Sequence, residues 1–270
     1  MLKMLARKRT FLGFGAFFAL EVAIFGVLHL DGVENTFRRL IQGQGEAFEK
    51  YFSALTLGFI VLILITLLSA IFLTLVGGDV VAKESEDGNL RLILARPVSR
   101  LRLLTVKYLS CLAYTFVLMQ FTVWTVLGLG ILLRGWGGGL IVFVPEANMP
   151  VLFDAEEGLQ RYALGGLALS FSMMAVTTMS FFLSCFRIKP AAATISALAY
   201  LFMDSLLREG HFMDNHKQWL ITHYMTTWRM LFMESIPWVL VLRNYTVLSG
   251  LSLTLFVLGA LVFESRDVKS

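Results

Sequence analysis

Six long apolar runs, separated by short blocks into which the charges are gathered, are the feature that most limits what this chain can fold into. Only 16% of the 270 residues are charged and 57% are hydrophobic, whereas a soluble domain of this size carries about 25% charged residues. That apolar surface exceeds what one soluble core can hide, so lipid has to be the solvent. In hydrocarbon the backbone must satisfy its own hydrogen bonds, which makes each run a helix. The runs fall at about 11–30, 54–76, 103–133, 162–186, 190–207 and 245–263, close to or above the roughly 20 residues that cross a bilayer. The expectation is an all-α polytopic membrane protein, one transmembrane domain over 1–270, with both termini on the same side.

The first run follows Lys3, Arg7, Lys8 and Arg9, as the core of a secretory signal would. It is longer than such a core, and His29-Leu30-Asp31 offers no small-residue cleavage site, so it reads as the first span behind a short basic interfacial stretch. Orientation follows from the basic residues. With the amino terminus inside, 14 of the 23 Lys and Arg fall in the inner segments 1–10, 78–107, 187–189 and 264–270, as the positive-inside rule requires. Trp136, Trp219, Trp228 and Trp238, with Tyr51, Tyr162 and Tyr245, then lie in outer segments or near outer span ends and read as an interfacial aromatic belt.

The connection between the second and third spans, 78–102, is too patterned for a plain turn. Leu90, Ile93, Leu94, Pro97 and Leu101 recur at helical spacing; Gly88 breaks the chain before them, and Pro97 ends the short helix before Ser99. Positive-inside charge alone would account for the basic residues there. It would not account for an amphipathic helix whose apolar face suits a bilayer surface or a partner's groove, with Lys83, Glu84, Glu86, Asp87, Arg91, Arg96 and Arg100 left for charged contacts.

The order Glu84, Gly88, Leu90, Leu94, Pro97, Ser99, Arg100, Lys107 after the second span resembles the signature of ABC transporter type-2 permeases. It departs from the commonest form at Asn89, where Thr or Ser is frequent; all three residues cap helix starts. The resemblance is sharp over this stretch and diffuse elsewhere, where it consists of six spans, a basic amino terminus and Phe263 followed by Arg266-Asp267. It implies a multi-pass permease subunit of the bacterial inner membrane. Such a subunit pairs with a second permease copy and with two ABC ATPase subunits that carry the ATP and Mg, and in some cases acts on a periplasmic partner. Glu84, Gly88, Leu90, Leu94, Pro97, Arg100 and Lys107 would form or flank its coupling helix. The chain has no motor of its own: no G-x-x-x-x-G-K-S/T segment occurs, and Gly135 to Gly139 are not followed by Lys-Ser/Thr.

Glu21 lies about ten residues into the first apolar run, near the bilayer midplane, where an unpaired carboxylate is expensive. Two readings stand: part of a proton or cation path, or a neutral group hydrogen-bonded to a neighbouring span. Arg208 to Trp238 is long for a turn, and its aromatic residues point to re-entrant or interfacial helices before the last span. Trp219, Trp228 and Trp238 are then either an outer gate or an interfacial cap. Gly135 to Gly158, with Glu146, Asp154, Glu156 and Glu157, reads as a mobile acidic outer turn. Small residues at Ala191 to Ala193, Thr194, Ser196 and Ala197, and at Gly165 and Gly166, predict close helix packing.

Other chemistries find little support. Cys111 and Cys185 each sit in an apolar stretch and read as core residues rather than as a disulfide or metal framework. His211, His216 and His223 lack the spacing of a metal site, and no hydrolase or protease motif occurs, so no metal, resident cofactor or enzymatic activity is expected. The basic residues flank apolar segments and form no separate nucleic-acid-binding face. A self-sufficient secondary transporter or channel-like membrane protein is the alternative to a permease, though the chain shows no convincing internal repeat.

Overall fold

A computed structural model describes residues 8–28, 39, 48–87, 99–143 and 150–265. Its long helices are α1 (Lys8–Leu28), α3 (Ala54–Glu86), α4 (Arg100–Arg134), α5 (Ala155–Ser184), α6 (Pro190–Glu209) and α8 (Trp238–Ser265). Short pieces connect them: α2 (Phe48–Tyr51), strands β1 (Leu140–Val142) and β2 (Val151–Phe153), α7 (Ile221–Met225), and 3-10 segments at His211–Trp219 and Thr226–Phe232. Helices α3, α4, α5, α6 and α8 are long and apolar enough to cross a membrane, while the apolar part of α1, Gly13–Leu28, is shorter. Large apolar side chains remain exposed on many of them, among them Leu67, Leu132, Phe202, Val239 and Leu261. In water that surface would drive aggregation; against lipid chains it costs nothing. The protein is a helical, multi-pass membrane protein.

Composition sets which helix lies where. α5 contains Gly165, Gly166, Ala168, Ser170, Ser172, Ala175, Thr177, Thr178 and Ser180, and it packs against α3, α4, α6 and α8. Small residues let backbones approach, and hydroxyls that bond back to their own helix remove their polarity from the interface. Thr178, for example, donates to Met174 O at 2.8 Å. α8, by contrast, buries only Val241, Asn244, Leu248, Gly259 and Phe263, one narrow face of 28 residues.

The helix boundaries differ from the hydropathy reading mainly by extension. α3 continues ten residues beyond 76 to Glu86, so Glu84 lies on its last turn rather than in a loop. α8 begins at Trp238, directly after Pro237, and not at 245. In both places the helix carries its polar residues out of the apolar zone, which hydropathy does not register.

The segment read as a mobile acidic turn is a folded ribbon in its described part. β1 and β2 pair antiparallel with Leu140 opposite Phe153 and Val142 opposite Val151. The ribbon is fastened to the start of α3: Ser53 Oγ donates to Gly139 O at 2.7 Å, and Ile141 N donates to Thr56 Oγ1 at 3.1 Å. Gly138 (φ +84°) needs its glycine, since a Cβ there would meet Lys50 O at 2.6 Å. Asp154, Glu156 and Glu157 lead into or open α5, where carboxylates favour a helix N-terminus, and Glu146 lies outside the described residues.

The pieces before α8 fold back onto the bundle. Phe232 sits against Gly165 of α5 and 4.6 Å from the Phe59 ring centroid. Arg161 of α5 holds this turn by donating to the carbonyls of Leu231, Met233 and Glu234. Asp204 of α6, itself buried, accepts from Ile221 N at 3.2 Å and Thr222 N at 2.7 Å and so caps α7. Asp204→Ala is expected to lower stability by about 2 kcal/mol, because it orphans two backbone donors, and Asp204→Asn by about half as much. Thermal unfolding followed by tryptophan fluorescence reads both.

Candidate functional site

The residues of the permease-like signature that the structure describes meet at one end of the bundle, opposite the ribbon. Glu84 on the last turn of α3 and Lys107 on the second turn of α4 form an ion pair at 2.5 Å, and Lys107 Nζ also donates to Val80 O at 3.1 Å. The Lys107 side chain is 7% exposed and that of Glu84 27%. Ser99 starts α4 by accepting from Arg102 N at 3.4 Å, as an N-cap serine does. Arg100 then reaches across to donate to Glu264 O at 3.1 Å, near the end of α8. Gly88, Leu90, Leu94 and Pro97 lie outside the described residues.

Beneath these contacts is a small apolar core of its own. It joins Val81 of α3, Leu104, Tyr108 and Cys111 of α4, Phe181 of α5, Cys185 just after it, and Phe263 of α8. Tyr108 stacks on Phe256 at 4.5 Å and shares a 3.1 Å hydrogen bond with Thr178. Gly77 and Gly78 let α3 lie directly on α5 and α6 here, and Ser180 donates to Thr74 O across the same seam. The end of α3 and the start of α4 are therefore joined to α5 and α8 in one packed cluster. Helices packed in this way shift as units.

Glu21 is the second candidate, and the structure puts it elsewhere. It faces Thr122 and Thr125, in the half of α4 nearer the ribbon. Neither of its oxygens has a hydrogen-bond partner among the described residues.

The three Trp candidates do not come together. Trp228 is 1% exposed, beside the Phe59 and Phe232 rings, while Trp219 is 76% and Trp238 51% exposed. Tyr162, too, is internal, donating to Val123 O at 2.9 Å. The aromatic-belt reading therefore fails for Trp228, Tyr162 and Tyr51, whose rings are buried against Gly residues or neighbouring rings. Asp204, Arg161 and Asn244, which bonds Thr227 at 3.0 Å, were not singled out from sequence. A lone polar residue in or beside an apolar run was the signal each one carried.

Both cysteines are buried, and neither forms a disulfide among the described residues. Among the described residues no group of three or more His, Cys, Asp or Glu gathers as metal ligands would.

A family described as "Protein of unknown function (DUF2705)" matches residues 36–269. The "Uncharacterized protein YhcI" of Bacillus subtilis (strain 168) is 27% identical over 124 residues, which cover 44% of this chain and 38% of that protein. The chain thus matches well under half the length of that relative. No solved structure matches.

Proposed function

From the premise that this chain belongs to the DUF2705 family, we propose that it is the membrane-spanning permease subunit of an ATP-binding-cassette exporter, driven by ATPase subunits on separate chains. The observation that carries this reading is the part-buried Glu84 to Lys107 pair, made between two residues of the permease-like signature on either side of 88–98. Such a clamp ties together the two helices that flank the coupling segment expected from the sequence, as is needed to convert motor closure into helix movement.

In this reading α1 is a sixth span, and both termini and the coupling segment face the cytoplasm of a bacterial inner membrane. The short pieces between α6 and α8 dip into the outer leaflet, with Trp219 and Trp238 at the interface. Two permease copies and two ATPase subunits form the working unit. ATP and Mg reside on the ATPase, and the permease carries out no chemistry of its own. The motion serves export or mechanical work on a periplasmic partner.

Co-purification with the ATPase encoded nearby tests the proposal. Wild type is expected to hold the ATPase and stimulate hydrolysis, and Leu94→Asp to lose both about tenfold or more by placing a charge on the docking face. Glu84→Ala should retain part of the complex but uncouple stimulation. A folded, functional chain that recruits no ATPase would overturn the proposal and favour a secondary transporter.

A further inference from the structure

The buried face of α1 is a single stripe, Gly13, Phe17, Glu21, Phe25 and Leu28, and the residues between, such as Val22 and Val27, are exposed. Glu21 lies in the middle of this stripe with 0% exposure, on a helix that otherwise buries only apolar residues and glycine among its described side chains. Phe17 packs on Phe72 of α3, and Phe14 on Tyr114 and Phe121 of α4, so the stripe is a close contact rather than a water-lined groove.

The groups that bear on the Glu21 carboxyl are Thr125 and Thr122 of α4 and, from α5, Tyr162. Thr125 Oγ1 spends its proton on Phe121 O at 2.7 Å and Thr122 O at 3.2 Å. The Tyr162 proton goes to Val123 O. Thr122 Oγ1 is buried and without a partner, as are Glu21 Oε1 and Oε2. No Lys, Arg or His among the described residues bears on the carboxyl.

An ionised carboxylate with no countercharge in hydrocarbon is strongly unfavourable. A carboxyl kept neutral for structural reasons gives its proton to a neighbouring oxygen, as buried polar groups do. Among the described residues Glu21 meets no countercharge, and its oxygens face the Thr122 and Thr125 hydroxyls without a hydrogen bond of good geometry.

We propose that Glu21, with the Thr122 and Thr125 hydroxyls, forms an intramembrane binding site for one monovalent cation, a proton or Na+. One carboxylate neutralises one unit of charge, so a divalent ion would leave the buried site positive. The donors are all oxygen, which suits a hard ion. Thr122 and Thr125 lie in the half of α4 nearer the ribbon, which makes that end the shorter route for the ion. The site is far along α4 from Lys107 and does not depend on the coupling reading.

Infrared difference spectroscopy on the full chain in lipid nanodiscs tests this, because it reads a buried carboxyl without any reagent having to reach it. Wild type is expected to show the C=O stretch of a protonated carboxyl that Glu21→Gln removes. The band should decline as pH rises if the proton is the occupant, and at fixed pH on replacing choline by Na+ if sodium displaces it. Thr122→Val should weaken the response about tenfold in Na+ concentration, or shift its pH midpoint by about one unit, through loss of one oxygen ligand. A band indifferent to both pH and Na+ would overturn the proposal and make Glu21 a fixed neutral strut. So would absence of the band throughout, or a Thr122→Val response identical to wild type. Tryptophan-fluorescence melting checks that each variant is folded, and Thr122→Val carries the test by itself if Glu21→Gln is not.

Discussion

Lys107→Met is expected to lower folding stability by about 3 kcal/mol, since it strands Glu84 in a site that is only partly open to water. The same change removes the donor that satisfies Val80 O at 3.1 Å. The double variant Lys107→Met with Glu84→Gln should recover more than half of that loss, because no uncompensated charge remains. This recovery separates a clamp from a mere source of stability. If the pair serves only to hold α3 to α4, the double variant should stimulate a bound ATPase nearly as wild type does. If it transmits force as proposed, the double variant should be stable yet poorly coupled. Unfolding in detergent with a double-mutant cycle gives the first quantity, and stimulated hydrolysis gives the second. A loss below about 0.5 kcal/mol for Lys107→Met would mean that water screens the pair as it does a surface ion pair.

Gly77→Ala is expected to cost about 1–3 kcal/mol, and Gly77→Leu to prevent the bundle from assembling. A Cβ at Gly77 would sit 2.7 Å from Thr177 O and 3.1 Å from Phe181 N. Both are backbone atoms of α5, so no side-chain rotation relieves the clash and α3 would have to move away. α3 and α5 form the broadest helix pair in the fold, and separating them also breaks the Ser180 to Thr74 O contact. Gly128→Ala in α4 is the matching control, because nothing lies within 4 Å of its added carbon. It should be neutral or stabilise by up to about 1 kcal/mol from helix propensity. Thermal unfolding in the same detergent compares the two, and equal losses at both positions would show that helix approach at Gly77 is not what limits stability.

Much of the helical architecture was legible because lipid leaves the backbone no alternative. Apolar runs of span length must be helices, and α3, α4, α5, α6 and α8 each correspond to one. Pro190 at the start of α6 and Pro237 just before α8 also act as their positions in sequence indicate, since proline is tolerated at or before the first helical turn. Glu21 was visible too, because a charge within an apolar run is rare enough to be noticed, whereas Glu84 and Lys107 were marked by the permease-like signature.

The partner of each was not visible. In a soluble protein hydrophobicity marks the inner face of a helix, but lipid is as apolar as a protein core, so the same residues serve on both sides. Trp228 and Trp219 look alike in sequence, yet one is the largest fully buried side chain and the other stands in the open. What separates them is Phe59, more than 150 positions away, whose ring takes up Trp228. The ribbon escaped notice because three-residue strands have too little pattern to detect, and its order comes from Ser53 and Thr56 at the start of another helix. By itself, the sequence determined that this chain is helical, lies in a membrane and carries a patterned charged connection between two spans, because each of these follows from local composition meeting the solvent. Only the tertiary structure decided that Lys107 closes on Glu84, that Gly77 admits α5, and that Glu21 faces Thr122 without a partner, because such pairings depend on which helices lie side by side, and apolar surfaces of equal affinity for lipid and protein do not encode that locally.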